Sequence, residues 1–179
     1  MDRFERSLRL DPARPRIARQ ADKQVQFMTS IDHEAFMRRC IELAMQAGSN
    51  GETPVGSLIV RDGLVISEGL EAVIGSNDGT AHAEINAIRV ACATLGGRDL
   101  SECTLYSTAE PCVMCSYAIR RAAIQRVVVG SLGSHLGGAT SSYSLLTDAS
   151  IAAWPSPPEL IGPVLQDQCA RLFVKTPQT

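Results

Sequence analysis

The sequence predicts an α/β protein with a mixed sheet covered by helices on both faces. Three observations lead there. Helical and strand patterns alternate in the order α-β-β-α-β-α-β-(β)-α. The first two strand patterns meet at Asp62-Gly63, a strong hairpin signal. Arg126-Val127-Val128-Val129-Gly130 is a continuous apolar run, which suits a strand buried on both faces.

Residues 1–28 stand apart from the rest. Arg3, Arg6, Arg9, Arg14, Arg16 and Arg19 crowd a segment broken by Pro12 and Pro15, with no sustained apolar period. The segment reads as a loosely ordered extension. Asp2, Glu5, Asp11 and Asp22 dilute its charge and argue against a nucleic-acid arm, and Met28 offers an alternative start. Residues 29–179 then form the folded domain.

Ser30 or Asp32 can cap the first helix. Phe36, Cys40, Leu43, Ala44 and Ala47 recur at helical spacing until Gly48. Asn50 to Pro54 is a loop by its turn residues. Strands are expected over 57–60 and 64–70, followed by a polar loop from Gly75 to Gly79. A helix from about His82 to Leu95 turns Ile85, Ile88, Cys92 and Leu95 to one side and ends at Gly96-Gly97. Thr104–Thr108 is a third strand. Pro111 suits the first position of a helix running to about Ala122, because the N–H it lacks would be unbonded there. After the strand at 126–130 comes a Gly-, Ser- and Pro-rich stretch with a short helix near Tyr143–Leu146. A fifth strand over 159–164 is expected at a sheet edge because of Pro163. Leu165–Leu172 closes the chain as a helix.

Composition narrows the function. The net charge is −2, the pI about 5.9, and 45% of residues are hydrophobic. A nucleic-acid-binding domain is more often basic. No apolar run approaches the roughly 20 residues that span a bilayer. The N-terminus lacks the apolar core of a secretory signal, so a soluble cytoplasmic protein is expected. Four of the six cysteines, Cys40, Cys92, Cys103 and Cys169, lie singly in apolar patterns and read as small buried hydrophobes.

The other two cysteines carry chemistry. Cys112 and Cys115 are three apart at the head of a helix, so their sulfurs share a face. The helix dipole there favours thiolate, the form that binds metal. His82 heads the other helix, with Glu84 two residues on. Two thiolates and an imidazole are a good zinc set, and three protein ligands with a fourth position open is the catalytic pattern. Glu84 beside that position would act as general base and acid. A structural zinc would need His135 or another cysteine as fourth ligand. A redox dithiol would leave His82 and Glu84 unexplained. At about 100° per residue, His82 and Glu84 would diverge on a regular helix, so convergence requires a metal beyond the helix N-terminus.

His82-Ala83-Glu84 and Pro111-Cys112-Val113-Met114-Cys115 match the signature of the zinc-dependent deaminases. Thr53-Pro54-Val55-Gly56, Asp78, Thr80 to Ile85 and Glu110 to Cys115 resemble the branch holding bacterial tRNA adenosine deaminases, guanine deaminases and fungal-type cytosine deaminases. The resemblance covers roughly residues 30 to 175. It implies a three-layer α/β/α sandwich with a mixed five-stranded sheet (cytidine deaminase-like) and a homodimer. It implies Zn2+ held by His82, Cys112 and Cys115, and hydrolytic deamination with Glu84 as proton shuttle. Ala83, the Cys112 N–H and Glu71 are the expected substrate contacts.

Two departures bear on substrate. Glu71 stands where the branch usually has an asparagine that contacts substrate. A carboxylate accepts hydrogen bonds and donates none when ionised. That suits an N–H-rich ligand such as an amino-purine, amino-pyrimidine or triazine; the alternative is a solvated strand-end residue. The C-terminus, QDQCARLFVKTPQT, lacks the basic helix often found in the tRNA enzymes, and phosphate binding needs such charge. The expected substrate is therefore a small amino-heterocycle or its nucleoside. A tRNA adenosine deaminase is the alternative, and a catalytically idle zinc-scaffolded binding protein a third reading. Tyr143 or Trp154 either stacks on a flat base or packs locally.

Overall fold

The computed structural model describes residues 32–174. The expected N-terminal extension, Met28 and the cap at Ser30 lie outside the described residues. The first helix, α1 (His33–Ser49), leaves Asp32 at its N-cap position. Then come β1 (Gly56–Arg61), β2 (Leu64–Leu70), a one-turn α2 (Val73–Ser76), α3 (Ala83–Leu95), β3 (Thr104–Ser107) and α4 (Val113–Arg121). The chain ends with β4 (Arg126–Val129), β5 (Glu159–Ile161) and α5 (Gln166–Arg171).

The sheet order is β2-β1-β3-β4-β5. β1 runs antiparallel to β2 and β3, while β3, β4 and β5 are parallel. The sheet is mixed and five-stranded, as expected. Asp62 and Gly63 make the hairpin turn with φ of 52° and 76°, the left-handed pair that a two-residue turn requires.

Alternation along the strands sorts the core into two layers. Leu58, Val60, Tyr106 and Val128 face α1 and Cys169 of α5. Ile59, Leu105, Val127 and Val129 face α3 and α4. These are the two faces of a three-layer sandwich. Ser107 continues the second face, which places a hydroxyl under α3. Along α3 the fully buried stripe is Ala83, Ala87 and Ala91, with Ile85 and Ile88 beside it and Cys92 and Leu95 only half-buried. Small residues are needed there. A Cβ at Gly69 of β2 would lie 2.2 Å from the Ala83 carbonyl oxygen and 2.5 Å from the Ala87 nitrogen. The N-terminal half of α3 therefore lies directly on the edge strand.

Three local expectations change. The 143–146 segment is a turn, not a helix. Leu146 N–H donates to the Gly138 carbonyl, and the Leu145 carbonyl accepts from the buried Arg120 guanidinium. Arg120 also donates to the Asp148 and Pro155 carbonyls, so this stretch is tied to α4 as well as by its own turn bonds. The fifth strand stops at Ile161, ahead of Gly162-Pro163, and lies at the sheet edge. One-turn α2 forms where a loop is expected; the Glu52 carboxylate accepts from the Ile74 and Gly75 N–H groups at its start. No helix among the described residues is long and apolar enough to cross a membrane.

Candidate active site

The site forms at one end of the sheet, where β1 begins and β3 and β4 end. A cleft of about 650 Å³ opens there, lined by His82, Glu84, Cys112 and the ends of the surrounding loops. Open α/β sheets commonly bind ligands at the carboxyl ends of their parallel strands.

Both helix heads differ from the sequence expectation by a small, decisive amount. His82 is the N-cap of α3, with extended backbone (φ −68°, ψ 151°), and the helix starts at Ala83. Cys112 is likewise the N-cap of α4 (φ −69°, ψ 176°), which puts Pro111 before the cap rather than at the first helical position. Neither side chain makes a capping hydrogen bond to its own helix. Each is turned instead to the space between the two helices. The divergence of His82 and Glu84 on a regular helix thereby disappears, because His82 is not helical.

His82 Nδ1 lies 3.7 Å from Cys112 Sγ and 3.6 Å from Cys115 Sγ, and the sulfurs are 3.6 Å apart. Tetrahedral zinc with ordinary Zn–S and Zn–N bonds requires edges of about 3.8 Å between sulfurs and about 3.6 Å between sulfur and nitrogen. The triangle fits that ion. Among the described residues this is the group of His, Cys, Asp and Glu side chains placed to hold a metal, and His135 is not part of it. The donor set also calls for a cation. Cys112 is lowered to about 5, chiefly by the hydrogen bond from Cys115. Cys115 moves the other way, as the donor of that bond and through burial. The pair thus shares one proton, and a divalent cation in its place would let both sulfurs bind as thiolates.

Glu84 is 3% exposed. Ser107 Oγ donates to its Oε1 at 2.8 Å, and Cys115 Sγ lies 3.4 Å from Oε2. Burial raises its proton affinity, and the bonds from its own N–H and from Ser107 offset this only in part. A carboxyl that gains a proton readily beside a metal triangle fits general acid–base chemistry.

Glu71 is 7% exposed and lines the cleft, so the solvated strand-end reading does not hold. Its Oε2 accepts from the Ala83 N–H at 3.0 Å. Burial raises its carboxyl, and the Ala83 bond and His82 pull it back. Ala83 itself is fully buried and does not line the cleft. Asn86 Nδ2 donates to the Leu70 and Ala81 carbonyls and fastens the strand end that carries Glu71 to α3. No hydrogen bond among the described residues takes the Cys112 N–H. Its neighbours do bond across: Val113 N–H donates to the Leu136 carbonyl and Gly138 N–H to the Pro111 carbonyl.

Neither aromatic singled out in the sequence reaches the cleft. Trp154 packs edge-on against Tyr117, with the Arg120 guanidinium over its ring. Tyr143 is exposed. The apolar wall comes from Val73, Ile74, Leu132 and Phe173. Glu110, unassigned in the sequence reading, is buried, and five donors from Gly133 to Thr140 satisfy its two oxygens. Burial pulls its carboxyl upward, and the bonds from Thr140, Ala139 and Gly133 outweigh that and hold it low. A Cβ at Gly137 would sit 2.3 Å from the Glu110 Oε1, so a side chain there would have to displace the carboxylate.

Residues 30–131 match the family model of the cytidine and deoxycytidylate deaminase zinc-binding region. The chain belongs to this family of zinc-dependent deaminases, hydrolases that act on carbon–nitrogen bonds. It is 39% identical over 118 residues to a tRNA-specific adenosine deaminase of Aquifex aeolicus, covering 66% of this chain and 78% of that one. It is 49% identical over 92 residues to guanine deaminase of Bacillus subtilis, covering 50% of this chain and 58% of that protein's length. A solved structure from work on tRNA wobble-position A34 deaminases superposes with a TM-score of 0.73 at 33% identity, covering 78% of this chain and 99% of that one. The three-layer sandwich is thus the cytidine deaminase-like fold.

Proposed function

We propose that this deaminase acts on a small, uncharged amino-heterocycle: an amino-purine, amino-pyrimidine or triazine base, or its nucleoside. One observation carries the reading. Among the described residues the cleft is lined by four carboxylates, Glu52, Glu71, Glu84 and Glu110, and by no lysine or arginine. Glu71 and Glu84 offer acceptors to a ligand, while Glu52 and Glu110 are bonded to their own surroundings. A phosphate entering such a cleft meets like charge and no neutralising partner. A neutral ring with N–H donors meets acceptors.

In this reading His82, Cys112 and Cys115 hold zinc, which supplies the Lewis acidity that makes hydroxide available near neutral pH. Glu84 takes one proton of the attacking water and delivers it to a ring nitrogen, then takes the second from the oxygen now on the ring and passes it to the departing amine, which leaves as ammonia. Ser107 keeps the Glu84 carboxylate aimed. The Cys112 N–H donates to the oxygen that forms on the ring. Glu71 receives a ring N–H, and Ala83 contributes by holding Glu71. The functional unit is the domain from 29 to 179, with 1–28 as an extension. The protein works in the cytoplasm as a homodimer; α4 exposes Tyr117, and the loop after β4 exposes Leu136 and Tyr143.

The experiment is ammonia release by the zinc-loaded protein from guanine, cytosine, isocytosine, adenine, aminotriazines and their nucleosides, with molar mass by light scattering on the same preparation. Turnover of one base and a dimer mass are expected. A monomer overturns the dimer. A second reading, inosine formation in tRNA, is favoured by the similarity to the tRNA-specific enzymes. Silence across the panel with inosine formed in tRNA would replace the first reading by the second.

A further inference from the structure

Glu110 has no part in the proton chemistry above, yet it is among the most heavily bonded side chains in the molecule. Its Oε2 accepts from Gly133 N–H at 2.9 Å, Ser134 N–H at 3.2 Å and Thr140 Oγ1 at 2.7 Å. Its Oε1 accepts from Ala139 N–H at 2.9 Å and Thr140 N–H at 2.7 Å. These donors come from both limbs of the 131–141 loop. The near limb, Ser131 to Ser134, lines the cleft. Glu110 thus gathers the loop around one carboxylate, two residues before Cys112. The Val113–Leu136 and Pro111–Gly138 backbone bonds strap the same loop onto the turn that carries Cys112. Gly137 and Gly138 pass close enough that a Cβ at either would collide, with the Glu110 carboxylate and with Ser116 Oγ respectively.

We propose that Glu110 is a positioning residue for substrate: it fixes the Ser131–Ser134 wall against the cleft and so sets the width available to the ring. A loop whose inward polar groups are satisfied by one buried carboxylate has a defined shape before substrate arrives, and preorganisation lowers the cost of binding. No charge-neutral substitute can do this. Glutamine offers one acceptor oxygen and turns an NH2 donor toward N–H donors. The wall should then loosen while His82, Cys112, Cys115 and Glu84 stay where they are.

The test compares Glu110→Gln with the milder Thr140→Val, which removes one hydroxyl donor. Three quantities are read on each zinc-loaded variant: zinc per chain, amide exchange at Gly133, Ser134, Ala139 and Thr140, and KM and kcat for the base that the panel identifies. For Glu110→Gln the expected result is full zinc, exchange at those amides faster by about tenfold or more with the sheet unchanged, and KM raised about tenfold with kcat within about threefold. Thr140→Val should move the same quantities less. The KM reading rests on the small-base proposal; the exchange reading does not. If no base is turned over, that proposal fails and exchange alone decides. If Glu110→Gln loses zinc or fails to fold, Thr140→Val decides by the same criteria. Unchanged exchange at the four amides, or a fall in kcat at constant KM, overturns the positioning role.

Discussion

Glu84 and Glu110 occupy matching places and are built for different work. Glu84 follows the N-cap His82 by two residues, and Glu110 precedes the N-cap Cys112 by two. Both are nearly buried and both line one cleft. Glu84 receives a hydroxyl bond on one oxygen, a thiol contact on the other and a bond from its own N–H, and burial still raises its proton affinity. Glu110 receives four backbone N–H bonds and a hydroxyl, and they hold its proton affinity down. Burial alone does not decide what a carboxylate does. The number of fixed donors does: few leave it able to exchange a proton, many turn it into an anchor.

The largest expected effect lies on the Glu84 side. Glu84→Gln keeps the shape and removes the exchangeable carboxylate. Ammonia release should fall by about 10²–10⁴-fold, the range typical of a lost general acid–base group, with one zinc per chain retained. A variant that retains the wild-type rate would break the comparison, because both carboxylates would then be structural.

The difference between the two residues also explains what the sequence could reveal. His82, Cys112, Cys115 and Glu84 are legible because their chemistry is local: two short motifs at two helix heads, each with the spacing that brings its groups together. The sheet was legible for a similar reason, since the Asp62-Gly63 turn and the apolar strands state their own pairing. Glu110 stands in the run Glu110 to Cys115 that carries the family resemblance, but its role is not legible there. Its partners are backbone N–H groups 23 to 30 residues away, and a backbone amide has no residue type to recognise. The same holds for Arg120, whose carbonyl partners lie 25 to 35 residues on and which claims Trp154. The cleft wall of Ile74, Leu132 and Phe173 carries no periodic pattern, because a one-turn helix and irregular segments supply it. The helix starts were misjudged by one or two residues, as boundaries often are. Here that shift decided whether His82 could reach the cysteines.

A smaller effect is expected on the Glu110 side. Gly137→Ala places a methyl against the Glu110 carboxylate, which five hydrogen bonds hold in place. The loop must shift, at a cost of about 1–3 kcal/mol, as for other overpacked sites. Thermal unfolding should show the loss, with zinc content unchanged. A neutral substitution would mean that the loop is not held closely enough for Glu110 to set its shape.

The smallest effect is the one that separates aim from proton affinity at Glu84. Ser107 comes from the end of β3, and its hydroxyl is the only protein oxygen donor that bonds the Glu84 carboxylate among the described residues. Ser107→Ala removes that bond and leaves the burial and the metal triangle in place. A single hydrogen bond to a charged group contributes about 1.5–3 kcal/mol. Part of that should return, because Oε2 keeps its Cys115 contact and Glu84 lines the cleft. The expected loss in kcat is therefore about three- to tenfold, well short of the Glu84→Gln loss, with KM nearly constant. A loss as large as that of Glu84→Gln would mean that the hydroxyl takes part in the proton transfer itself. Glu84 would then resemble Glu110 more closely, as a group whose partner determines its work.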